Sequence, residues 1–254
     1  MLSSKVKCRN LFPEIEKVLK AYKQFVEDGG VDLELLQFAS NPLIYGTVPS
    51  LLEKKYVYGL GDDFDRAAAL VASDQCMLSY IPRIGEKYSN LFELISNEKI
   101  GIADYQKYQM SDIHWLIDQG LIIEDQGILR PVGKMMQVLH DLYSNEVIDY
   151  YHISQDIRTA VDTFDSMGWI KFESSLFSIP EQNFISFNLD RNKYGNGYDI
   201  RNRYVHGSFS SEVSEKEHKK NYYIGIIILV LTIFKIDAEL EVYKQLFNNT
   251  EVEL

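Results

Sequence analysis

Cysteine is nearly absent: Cys8 and Cys76 stand far apart in 254 residues, and neither belongs to a CxxC pair. That excludes a zinc ribbon, a redox dithiol and a disulfide framework, and it predicts a cytoplasmic, reducing location. Proline is scarce too, with 6 residues against 17 tyrosines and 13 phenylalanines. This balance excludes a loop-rich secreted scaffold and suits long helices with aromatic packing. The longest apolar run, Tyr222 to Phe234, falls between Lys219–Lys220 and Lys235 and is shorter than the roughly 20 residues a spanning helix needs. It is expected to form a helix buried on nearly all sides, with no membrane partner. The N-terminal stretch lacks the sustained apolar core of a signal peptide.

Positive charge is also in deficit. Lys and Arg number 26 against 37 Asp and Glu, a net charge of -11, which excludes general affinity for nucleic acid because such binding draws on many phosphate contacts. One stretch departs from this. Between Arg191 and Lys220 there are seven basic residues (Arg191, Lys193, Arg201, Arg203, Lys216, Lys219, Lys220) against Asp199, Glu212, Glu215 and Glu217, a local basic island in an acidic chain. Several chemistries have no signature here. There is no phosphate-binding glycine loop with its lysine and hydroxyl, and no Gly-x-Ser-x-Gly elbow. His114, His140, His152 and His218 have no cysteine or carboxylate partners at ligand spacing, so neither a metal nor a cofactor is expected.

What is present is helical periodicity, and the expected fold is mostly α. Leu11, Ile15, Val18, Leu19 and Tyr22 recur at helical spacing before Gly29-Gly30, and Asp63 to Ile81 reads as a second long segment ended by Pro82. Asp62, Asp63 and Asp65 sit where that helix starts, a place the helix dipole favours for acids. From about 100 to 131 the pattern becomes helix, turn, helix and two short strands, Leu121 to Glu124 and Ile128 to Arg130. That order resembles a winged-helix unit with its β-hairpin. Asp112 to Gly120 holds two aspartates and no lysine or arginine, which favours a packing or docking module over DNA reading. Four helical segments are then predicted, at Lys134 to Tyr143, Ser154 to Met167, Gly197 to His206 and Val213 to Ile236. An irregular insert from Trp169 to Lys193 is expected to hold a short strand or an extra helix. The four segments suggest a bundle at 132–254 behind a helical N-terminal region at 1–131, with the boundary near Pro131 to Gly133.

The chemistry concentrates in RNRYVHG, Arg201 to Gly207. Arginine offers a permanent forked charge for a phosphate, and histidine carries a proton either way near neutral pH. At 100° per residue Asn202 and His206 share a face, whereas Arg201 lies about 140° from His206. The pair can share one phosphate only if the helix loosens at Gly207, a residue type that commonly terminates helices. Arg203 stands one turn from Asp199, so a surface ion pair between them is expected.

The string YGNGYDIRNRYVHG resembles the NG-x-x-(Leu/Ile)-RN-x-x-x-HG form of the HEPN superfamily of helical bundles, over roughly Gly133 to Phe247. The resemblance implies an HEPN-like four-helix bundle and a metal-independent endoribonuclease of a toxin or antiviral defence type. Arg201, Asn202 and His206 would be its catalytic residues, working in a homodimer with two motifs facing one cleft. His206 would act as general base or acid on the ribose 2′-OH, Arg201 would hold the phosphate charge, and Asn202 would orient His206 or the phosphate. Arg203, Lys193, Lys219 and Lys220 would contact the RNA, and an antitoxin or defence-complex partner is a further expectation. The alternative is a noncatalytic bundle that binds RNA or protein, with Arg201 paired to an acid and His206 capping a helix end.

Overall fold

Ser3 lies in extended backbone and its hydroxyl accepts from the Val6 amide, so helix α1 (Ser4–Asp28) begins at the first side-chain cap the chain offers. It ends at Gly29, whose φ of 72° is the left-handed conformation that closes a helix. This computed structural model describes residues 2–38, 43–191, 193–207 and 213–248; the described residues are mostly helical and form ten α-helices and two small antiparallel sheets. Phe12, Ile15, Leu19 and Tyr22 form the buried stripe of α1, and Val18, expected on that stripe, faces outward.

The chain forms two compact units, and their boundaries differ from the expected division at 131/132. One unit joins Met1–Glu53 to Ser174–Leu254, and the other is the continuous stretch Lys54–Glu173. No break falls at Pro131 to Gly133, because the chain there is tied into one core. Pro131 is paired with Ile122 in a hairpin, the Val132 amide donates to the Leu121 carbonyl, and Met135 and Met136 are buried immediately afterwards.

The continuous unit begins with strand β1 (Tyr56–Gly59) and helix α3 (Asp62–Ala72), which follows α2 (Leu33–Phe38) of the other unit. Helix α3 carries Asp62, Asp63 and Asp65 in its first turn, as expected, but stops at Ser73, short of Pro82. Helices α4 (Leu91–Asn97) and α5 (Met110–Asp118) then lead into the hairpin of β2 (Ile122–Asp125) and β3 (Ile128–Pro131). Asp125 pairs with Ile128, so the loop is Gln126-Gly127 alone, with φ of 52° and 79°. Two positive φ values in a two-residue loop match the twist of the strands it joins. After α6 (Met135–Asn145), β4 (Ile148–Asp149), α7 (Gln155–Met167) and β5 (Ile170–Glu173) the unit is complete. Its second sheet has the order β4-β1-β5, with Val57 opposite both Ile148 and Phe172. These three strands are too short for sequence alternation to mark them.

The other unit contains α1 and α2, followed by α8 (Ile179–Leu189), α9 (Ile200–Val205) and α10 (Glu215–Asn248). Helix α8 is the extra helix of the irregular insert, opened by a capping box in which Ser178 and Glu181 satisfy each other's backbone amides. The two predicted helices at 134–143 and 154–167 therefore belong to a different core from α9 and α10. In their place α1 lies along α10 in parallel: Cys8 Sγ donates to the His218 carbonyl, and Tyr22 Oη donates to Glu239. The approach is close at Gly225, where a Cβ would come 2.7 Å from Leu11 Cδ2 and 3.0 Å from the Phe12 ring.

Helix α10 corrects a further expectation. Asn221, Gly225, Ile228, Thr232 and Glu239 are buried, but the opposite face is open, with Ile227 55% and Phe234 67% exposed. The apolar run is thus covered on one side only.

Candidate functional site

Gly197 sets the direction of α9. A Cβ there would stand 2.9 Å from the carbonyl oxygens of both Asp190 and Phe187, so the chain can pass only without a side chain. Tyr198 then donates its amide to the Phe187 carbonyl, and Asp199 adopts φ 54°, ψ 37°, a left-handed position asparagine and aspartate tolerate best after glycine. Ile200 and Tyr204 are buried on the core side of α9, which leaves Arg201, Asn202 and His206 toward its other faces.

The helix ends where expected. His206 has φ -96° and ψ 0°, and Gly207 has φ 71°, so the backbone leaves the helix at the histidine. This loosening closes the angular gap: Arg201 Nη1 lies 3.5 Å from His206 Nε2. His206 is exposed, while the Arg201 side chain is 15% exposed.

Arg201 is held by a residue that sequence spacing did not single out. Its Nε and Nη2 donate to Glu16 Oε2 at 3.1 and 2.7 Å, from α1. Lys20 Nζ sits 3.0 Å from the other Glu16 oxygen. Burial raises the Glu16 carboxyl, but the hydrogen bonds from Arg201 and Lys20 outweigh it and hold the group below its ordinary value. Arg201 Nη1 also donates to Asn202 Oδ1 at 2.9 Å, and Asn202 Nδ2 donates to Asp199 Oδ1 at 2.7 Å. The Asn202 amide is therefore engaged with Arg201 and Asp199, so it fixes the guanidinium rather than the imidazole.

Below this layer Tyr204 anchors the helix. Its hydroxyl lies 2.7 Å from His218 Nδ1 and accepts from Asn221 Nδ2 at 3.3 Å, and its ring stacks on Phe12 with centroids 5.5 Å apart. Burial raises the Tyr204 phenol well above its ordinary value, so it stays protonated.

A cavity of about 380 Å³ opens beside Arg201, lined by Pro13, Glu16, Lys17, Lys20, Leu36 and Val205 in addition to Arg201. Three cations face it against one carboxylate. A second cavity of similar size continues along α1 toward Lys23, and Lys20 and Leu36 line both. The cations that share the cavity with Arg201 are thus Lys17 and Lys20, from the far end of the sequence. The basic residues singled out near the motif lie elsewhere. Arg203 Nη1 is 3.6 Å from Glu217 Oε1 rather than paired with Asp199, whose Oδ1 accepts from Asn202. Lys193 donates to Asn183 Oδ1, Lys219 lies over the Tyr223 ring at 5.9 Å, and Lys220 lies over the Tyr198 ring at 4.7 Å. Glu212 of the basic island lies outside the described residues.

Among the described residues no group of three or more His, Cys, Asp or Glu is arranged to hold a metal ion, and no helix is long and apolar enough to cross a membrane. Comparison of the chain with protein-family models, with curated proteins and with solved structures finds no match.

Proposed function

We propose that the protein is a metal-independent endoribonuclease of the HEPN type, acting in the cytoplasm as a toxin or antiviral defence effector. The observation that carries the reading is the 3.5 Å approach of Arg201 Nη1 to an exposed His206 Nε2, with Arg201 also lining a basic cavity. Glu16 occupies the Nε and Nη2 edge of the guanidinium, which leaves Nη1 as the edge aimed past Asn202 toward the imidazole. A phosphodiester seated against both Nη1 and Nε2 would meet a fixed positive charge and a proton carrier together. Neutral His206 takes the proton of the ribose 2′-OH as its oxygen attacks the adjacent phosphorus. Arg201 stabilises the extra charge on the phosphorane, and protonated His206 then gives that proton to the departing 5′-oxygen, leaving a cyclic 2′,3′-phosphate and a 5′-hydroxyl.

In this reading α1, α8, α9 and α10 make up an HEPN-like four-helix bundle, and the protein acts as a homodimer, with an antitoxin or defence-complex subunit as a further partner. Lys17 and Lys20 receive phosphates flanking the scissile bond, and Arg203, Lys193 and Lys219 extend the contact to more distant nucleotides. Incubation of the purified protein with RNA in EDTA tests the proposal. Cleavage is expected, and His206→Ala and Arg201→Ala are each expected to abolish it; undiminished cleavage by either variant sinks the assignment.

One observation favours a second reading. Arg201 is largely covered and committed to Glu16 across α1 and α9, an arrangement that also serves as a structural tie. A noncatalytic bundle that binds RNA or protein would use it that way, and a wild type inert on all RNAs would select this reading.

A further inference from the structure

The face of α10 turned away from α1 carries an exposed seam in strict heptad spacing. Lys216, Lys220, Tyr223, Ile227, Val230, Phe234, Asp237 and Glu241 follow one another at intervals alternating between four and three residues, and all are exposed. Its apolar centre, Tyr223 to Phe234, is flanked by Ile233, and these side chains together leave roughly 500 Å² of apolar surface in water, near the upper end for a monomer's largest patch. The order of charges is more telling than the area. Two lysines stand at one end and two carboxylates at the other, equally spaced about a point between Ile227 and Val230.

We propose that a second copy of this chain covers the seam, with the two α10 helices packed antiparallel about a two-fold axis at that point. Antiparallel pairing sets Tyr223 against the partner's Phe234 and Ile227 against the partner's Val230. The same register sets Lys220 against the partner's Asp237 and Lys216 against the partner's Glu241. Every layer is then apolar on apolar or cation on anion, and symmetry repeats each one. Parallel pairing would instead put lysine on lysine and carboxylate on carboxylate. The seam from Lys216 to Glu241 runs about 38 Å at the helical rise, and with its flanks it supplies a contact of the order of the 800 Å² per partner found in stable interfaces.

This pairing deepens the proposed homodimer and has a consequence for its chemistry. Tyr204 of α9 is tied to His218, near the start of α10, and in the antiparallel register His218 lies level with the partner's Glu239. The two His218 residues are then about 31 Å apart along the axis, so this interface does not bring a second His206 into either site. Each motif works on its own phosphate.

Sedimentation velocity of the full chain at micromolar concentrations is expected to give a dimer. The double variant Ile227→Glu/Val230→Glu is expected to sediment as a folded monomer, its helical circular dichroism unchanged and its RNA cleavage retained. Reversing the acidic end with Asp237→Lys/Glu241→Lys is expected to weaken association roughly tenfold or more. Adding Lys216→Glu/Lys220→Glu to the same chain is expected to restore association. A monomeric wild type, or a dimer insensitive to the central glutamates, overturns the interface; failure of the charge exchange to restore association overturns the antiparallel register. Loss of cleavage in the folded monomer overturns the independence of the two sites. A wild type that dimerises but cleaves no RNA leaves the interface standing and removes only the ribonuclease reading.

Discussion

Glu16 and Arg201 form the contact on which the site's geometry rests. The carboxylate accepts from two guanidinium nitrogens and from Lys20, and both members of the pair are largely covered, so removing either one strands a charge, at a cost of about 3 kcal/mol. Glu16→Gln is therefore expected to lower urea stability by about that much and to slow cleavage by freeing the guanidinium from its aim at His206. A pH dependence accompanies it. Because the folded pKa of Glu16 is lowered from 4.5, the pair's contribution to stability is fully present above that value and fades as pH falls through the folded value. Thermal melts of the wild type below pH 4.5 are expected to lose this contribution, and those of Glu16→Gln to show a flatter decline over the same range. Tyr204→Phe is a separate test of the layer beneath. It removes the hydroxyl that meets His218 and Asn221 and is expected to cost about 1–3 kcal/mol in urea denaturation.

At the scale of elements, two glycines determine where the motif points. Gly197 lets the chain pass within reach of three backbone carbonyls, and Gly207 takes the left-handed turn that frees His206 from the helix. Gly197→Ala has no room for its methyl group and is expected to shift α9, destabilising by about 1–3 kcal/mol. Gly207→Ala has open space around it, so its cost is conformational, about 1 kcal/mol. The two variants are expected to separate in assay: the first lowers melting temperature and cleavage together, and the second lowers cleavage more than stability. Much at this scale was legible in the sequence. The glycine end of α1, the acidic start of α3, the hairpin after α5 and the end of α9 at Gly207 all follow from local rules of capping and turn chemistry. The strands β1, β4 and β5 were not legible, because strands of two to four residues carry too few positions for alternation to show.

The whole molecule is organised by nesting. The stretch Lys54–Glu173 has its own core, from Val57 through Phe164 to Ile170, while the other core is closed by residues from both chain ends. Residues 54–173 expressed alone are thus expected to fold, giving a cooperative melt and dispersed amide resonances. A chain cut after residue 173 is expected to keep that unit and lose the helical order of α1, which has α10 as its main cover.

The sequence by itself determined a mostly helical chain, the glycine ends of α1 and α9, and the gathering of arginine, asparagine and histidine in Arg201 to Gly207, because each of these depends on neighbours within a turn or two. The tertiary structure alone decided that Glu16, Lys17 and Lys20 gather around Arg201 from some 185 residues away, that Arg203 turns to Glu217, and that helices at 134–143 and 154–167 belong to a different core. It also decided which side of the apolar run in α10 is open. A helix that is apolar all round gives no sign in sequence of which face its neighbour will cover; only the packing of α1 against Gly225, Ile228 and Thr232 left Ile227, Val230 and Phe234 in water.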